Sequence, residues 1–105
     1  MSGSGGGGYE LPQTAKFNCT SGIINTTVSS VDLKVLNNQN NGDILLVELS
    51  EIETVILVDG NGEILGSIVH PNTPDLIECI KRGNSYEAEI TSITPATCRV
   101  KIQRA

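Results

Sequence analysis

The four residues Asp59-Gly60-Asn61-Gly62 restrict what this chain can fold into more than any other stretch. They separate two apolar runs, Thr54 to Val58 and Glu63 to Val69, and supply residues that tolerate the positive φ of a tight hairpin. A β-hairpin follows. Its first arm, Val55-Ile56-Leu57-Val58, is apolar without alternation, which predicts a central strand covered on both faces. Gly66 interrupts the second arm, as expected at a bulge or bend where a small sheet curls toward closure.

The flanking segments extend this pattern. Met1 to Gly8 is a Gly/Ser leader with nothing to bury, so residues 1–12 read as a disordered leader and arm and residues 13–105 as one domain. Ala15 to Thr20 and Gly22 to Ser29 are β-formers, as two strands or one bulged strand. Val31 to Leu36 fits either alternation or a short helix capped by Ser30, of which the helix is the choice here, and the asparagine run Asn37 to Asn41 ends it. Asn41-Gly42-Asp43 is a turn into a strand from Ile44 to Leu49. A second helix starts with Thr73 as N-cap and Pro74 as first residue, carries Lys81 and Arg82 in its last turn, and stops at Gly83. Leu76, Ile77 and Ile80 form its apolar stripe, with Cys79 beside them. Two alternating strands close the chain, with Tyr86, Ala88 and Ile90 on one face of the first and Cys98, Val100 and Ile102 on one face of the second. Antiparallel pairing would set Glu87 and Glu89 against Arg99 and Lys101. Six or seven short strands without strand-helix-strand repeats predict a mainly β fold, a partly closed antiparallel small barrel of SH3-like or OB-like kind.

Composition narrows function. Twelve acidic residues against seven basic ones make a surface that on average repels phosphate backbones. The aromatics are Tyr9, Phe17 and Tyr86, too few for a run of base-stacking platforms. Cys19, Cys79 and Cys98 are odd in number, with no CxxC pair, and read as buried small hydrophobes rather than a disulfide framework or a zinc site. No apolar run is long enough to span a bilayer and the N-terminus lacks a signal-peptide layout, so a cytoplasmic protein without membrane association is expected.

Several motifs gather in one order. Gly42-Asp43 precedes a strand holding Leu46-Val47-Glu48, then come the apolar strand Val55 to Val58 and Gly62-Glu63-Ile64-Leu65-Gly66. After a helix with Leu76 and Ile80 comes Gly83-Asn84-Ser85-Tyr86-Glu87-Ala88-Glu89-Ile90. From about Leu33 to Ile102 the chain thereby resembles a HIRAN domain, a small β-barrel module of some helicase-like DNA-repair enzymes that also occurs as a stand-alone bacterial or phage protein. The family's Asn-Pro-x-Asp-x-Asn-Ala stretch is replaced by Ser50-Glu51-Ile52-Glu53-Thr54, and Ser67 stands where an aromatic often follows the second glycine. The resemblance implies a barrel that grips single-stranded DNA at its terminal hydroxyl.

Chemistry is sparse. His70 has no partner set in sequence and reads as a loop residue. Glu48, Glu51, Glu53, Asp59 and Glu63 lack calcium-loop spacing and read as a solvated edge. Lys81, Arg82, Arg99, Lys101 and Arg104 hold most of the positive charge and are the candidate nucleic-acid contacts, should they form one basic stripe. The expectation is a non-catalytic binding module without cofactor or metal, whose partner is single-stranded DNA or, alternatively, a protein.

Overall fold

The computed structural model describes residues 17–105. Along them run β1 (Ile24–Thr27), α1 (Leu33–Leu36), β2 (Ile44–Leu49), β3 (Val55–Val58), β4 (Ile64–Ser67), α2 (Thr73–Lys81), β5 (Tyr86–Ile93) and β6 (Cys98–Arg104). The leader and arm, and Ala15 and Lys16 of the first expected strand, lie outside the described residues.

The six strands make one antiparallel sheet in the order β1-β6-β5-β2-β3-β4, the mainly β, partly closed barrel that the strand pattern predicts. The Asp59-to-Gly62 corner joins β3 to β4. Asp59 holds it: one carboxylate oxygen accepts from the Asn61 and Glu63 amides, both at 2.9 Å, and the other accepts from Gln39 Nε2 at 2.9 Å. Asp59 is only 5% exposed, so it departs from the solvated acidic edge where the sequence placed it. Its hydrogen bonds satisfy a carboxylate that burial would otherwise penalise. Pairing of Val58 with Ile64 and Leu57 with Gly66 leaves Leu65 as the extra residue of a bulge.

β4 is the last strand of the sheet rather than an interior one, yet its outer edge is covered. Ser29 and Ser67 exchange both backbone hydrogen bonds, at 2.8 and 2.9 Å, and the Asp32 amide donates to Leu65 O at 2.8 Å. One residue earlier, Val28 N donates to Cys98 O at 2.8 Å. Consecutive residues therefore reach β6 and β4, and the sheet curls shut at this point. Gly66 permits it: a Cβ there would lie 2.5 Å from Val28 Cγ1 and 2.6 Å from Ser29 O.

Ser29 and Ser30 are taken up by this closure, Ser30 at φ 53°, so Asp32 rather than Ser30 caps α1, accepting from Lys34 N at 2.9 Å and Val35 N at 3.2 Å. In α2 the N-cap position falls on Asn72, and Thr73 is the first helical residue, its hydroxyl accepting from His70 N at 2.9 Å. The other end follows expectation. Gly83 adopts φ 101°, its amide donates to Ile80 O, and Asn84 N donates to Cys79 O, which is a Schellman termination. Leu76 and Cys79 of α2 join the same core as Leu45, Leu57, Leu65 and Ile102.

The expected first strand is replaced by a turn over residues 19–21, because Asn18 Oδ1 accepts from Thr20 N and Ser21 N and so competes with a ladder. Cys19 in this turn is disulfide-bonded to Cys79, with Cα atoms 5.4 Å apart. The reading of three unpaired cysteines is thus corrected: two residues separated by 60 in sequence meet only once α2 lies on the sheet. Cys98 is free and buried, and burial pushes its thiol pKa up. Phe17 and the Tyr86 hydroxyl fasten the same turn, Phe17 N donating to Asp75 Oδ2 at 3.1 Å and Tyr86 Oη to Cys19 O at 2.6 Å.

Candidate functional site

The five basic residues do not form one stripe. Lys81 makes the ion pair found among the described residues, to Glu53 at 2.7 Å, which raises its pKa. Arg82 is the C-cap of α2, beside a small cavity over the disulfide. On β6, Arg99 and Lys101 point away from the core; Arg99 Nη1 donates to Thr27 Oγ1 at 2.9 Å, and Lys101 faces Glu89 on one side and Asn25 on the other. Glu89 faces Lys101 and Glu87 faces Gln103, a register that already carries Arg99 past Glu89, and the shift between Ile90 and Ser92 sets Arg99 opposite Ser92. Arg104 lies opposite Tyr86, about 17 Å along the strand from Arg99 at the usual rise per residue. Its charge opposes the upward push that burial gives the Tyr86 pKa.

A concavity larger than the one over the disulfide lies elsewhere, and sequence reasoning did not point to it. A groove of about 430 Å³ lies between residues 46–49 of β2 on one wall and Ile80 with residues 83–86 on the other. Its origin is a mismatch of strand lengths. β2 and β5 pair only from Ile44 with Glu89 to Val47 with Tyr86, because the Schellman turn of α2 occupies the residues before Tyr86. β2 runs on to Leu49, held on its other side by β3.

The direction of the backbone groups there can be worked out. Ser50 N donates to Thr54 O, and hydrogen-bonded pairs alternate along an antiparallel ladder, so Glu48 and Leu46 bond toward β3. Leu45, Val47 and Leu49 therefore aim their N–H and C=O at the β5 side, in agreement with the bond from Ile90 N to Asp43 O. Leu45 and Val47 meet Ala88 and Tyr86. Opposite Leu49 the register would place Asn84, whose N and Nδ2 both donate to Cys79 O at 3.2 and 2.9 Å. Among the described residues no strand pairs with Leu49 on that side.

The walls add side chains to this open edge. Leu46 is 55% exposed, Ile80 and Leu49 are half-buried, and Asn84 and Ser85 bring polar groups. Among the described residues Glu48 is the sole charged one in the lining. The only sequence signals bearing on the groove were Gly83 and the length of the Ile44-to-Leu49 run, and neither shows that two strands end out of step. His70, near the start of α2, accepts from Asn72 N through Nδ1 at 3.0 Å. Among the described residues no group of three or more His, Cys, Asp or Glu is placed to hold a metal ion, and no helix is long and apolar enough to cross a membrane.

No protein-family model and no curated protein matches the chain. A crystal structure of a protein from Lactobacillus plantarum, a structural-genomics target, is similar over 76% of this chain and 89% of its own, with TM-score 0.67 and 14% identity. At that identity the likeness is one of fold.

Proposed function

We propose that this chain is a non-catalytic binding module that takes a protein partner in the groove beside β2. The observation that carries this reading is the groove itself, which joins exposed apolar side chains to a strand edge that has no partner among the described residues. Single-stranded DNA, the ligand that the HIRAN resemblance implies, needs cations along its phosphates. Among the described residues the groove's lining carries one charge, the Glu48 carboxylate, and Lys81 nearby is bound to Glu53. A disulfide such as Cys19–Cys79 persists in an oxidising compartment, so the reading replaces the expected cytoplasmic setting with one outside the reducing cytosol.

The test is selection of peptides on the full chain from a random display library, followed by chemical-shift mapping of the isolated binders. Peptides that shift residues 46–49 and 83–86, and that lose binding to Leu46→Asp, support the reading. An oligothymidine that binds at low salt, shifts Arg99, Lys101 and Arg104, and leaves the groove untouched while no peptide is recovered overturns it in favour of nucleic acid.

A further inference from the structure

Resting on the groove as the binding site, we infer that the partner enters it as an extended, basic segment that continues the line of β5 and pairs with Leu49. Two independent features fix the ligand's chemistry. The first is the backbone. Leu49 presents one donor and one acceptor along the β5 edge of β2, in the plane of the sheet, and an extended segment supplies the matching pair where β5 turns away at Tyr86. A helix has its own N–H and C=O groups occupied and cannot do this. Among the described residues no neighbouring group bonds Leu49 on this side: the Asn84 N and Nδ2 donors are held by Cys79 O, and Ser85 O accepts from Ala105 N at 2.9 Å.

The second feature is charge. Glu48 lies in the lining and is exposed and Glu87 faces Leu46 across the β2–β5 ladder, while Glu89 farther along already faces Lys101, so the outward surface beside the groove sets Leu46 next to two carboxylates. Side chains of an added strand alternate, apolar toward Ile80 and Leu49 and basic toward Glu48. Lysine or arginine at alternate positions is the complement, and an acidic segment is repelled. With one fully available residue on the edge the contact is short, so it favours a peptide segment over a whole sheet edge.

The experiment uses the full chain and an acetylated, amidated peptide of alternating lysine and valine, with glutamate-valine and backbone N-methylated lysine-valine peptides as companions. The lysine-valine peptide is expected to bind with shifts at Leu49, Ile80 and Ser85. Replacing lysine by glutamate weakens binding about fivefold or more at low salt, a preference that fades as salt screens it. N-methylation at the residue facing Leu49 weakens it about tenfold, the loss of a backbone hydrogen bond or two. Glu48→Lys reverses the charge preference. Leu49→Pro removes the amide aimed at the groove while sparing the ladder to β3, and abolishes binding. If Leu49→Pro does not fold, the N-methylated peptide and Glu48→Lys decide without it. Binding indifferent to N-methylation or to Glu48→Lys, or shifts outside the groove, or no binding of the lysine-valine peptide, overturns the inference. Peptides that bind in the groove as helices or with acidic preference would do so while leaving the groove standing as the site.

Discussion

Removing the Cys19–Cys79 bond should cost this domain much of its stability. The bond closes a loop between residues 60 apart. In the chain-entropy treatment such a loop constrains the unfolded state by roughly 14 cal/mol/K, or about 4 kcal/mol at room temperature. Typical domains have only about 5–15 kcal/mol in total, so the loss is severe. The Cys19→Ala, Cys79→Ala double variant should show its urea midpoint lowered by roughly 2–3 M at a slope of about 1.5 kcal/mol/M. The cut also releases the turn that Phe17 and Tyr86 hold, so the edge-to-face packing of the two rings, 5.7 Å between centroids, should loosen in aromatic NOEs before global unfolding. Thiol titration in denaturant gives the independent check. The oxidised protein should show one reactive thiol, Cys98, and only after unfolding, since that side chain is buried. Three thiols in protein purified without reductant, or a stability change below about 1 kcal/mol, would refute the reasoning.

Other consequences can be measured separately. Gly66→Ala should destabilise by about 2–3 kcal/mol, because the new Cβ meets the Ser29 carbonyl as well as a Val28 methyl, and amide protection at Ser29 and Ser67 should fall with it. Gly83→Ala places a side chain at φ 101° and should cost about 1–2 kcal/mol in urea denaturation. Hydrogen bonds from the Glu63 and Asn61 amides and from Gln39, against the opposing push of desolvation, lower the Asp59 pKa in the fold. That contribution is therefore complete above the ordinary carboxylate pKa of about 3.9 and is lost as pH falls through the folded value. The stability gap between wild type and Asp59→Asn should accordingly be widest above about pH 4 and close in acid.

Local chemistry made the hairpin, the second helix and the final strand pair legible, since turn residues, the Pro74 and Gly83 signals and period-two alternation all act over a few residues. What escaped sequence reasoning depends on distant segments meeting. The disulfide joins residues that no spacing rule relates, the closure at Ser29 redirects the cap of α1 to Asp32, and the β5–β6 register gives Glu89 to Lys101 and Glu87 to Gln103, leaving Arg99 opposite Ser92. Asp59 could have been read as a turn residue bonding its own hairpin, but its hydrogen bond from Gln39 comes from another segment. The basic residues were identifiable one by one, whereas their scatter follows from register and from the Glu53 partner of Lys81. The groove was least legible, because it is the place where β5 stops short of β2.

Amide hydrogen exchange at Leu49 in the unliganded protein tests this most directly. With Val47 paired to Tyr86 and Leu49 past the end of β5, Val47 should be strongly protected and Leu49, two residues on, should exchange within about an order of magnitude of the unfolded rate. Protection of Leu49 equal to that of Val47 would mean that its edge is already occupied, and would contradict the open strand on which the binding site depends.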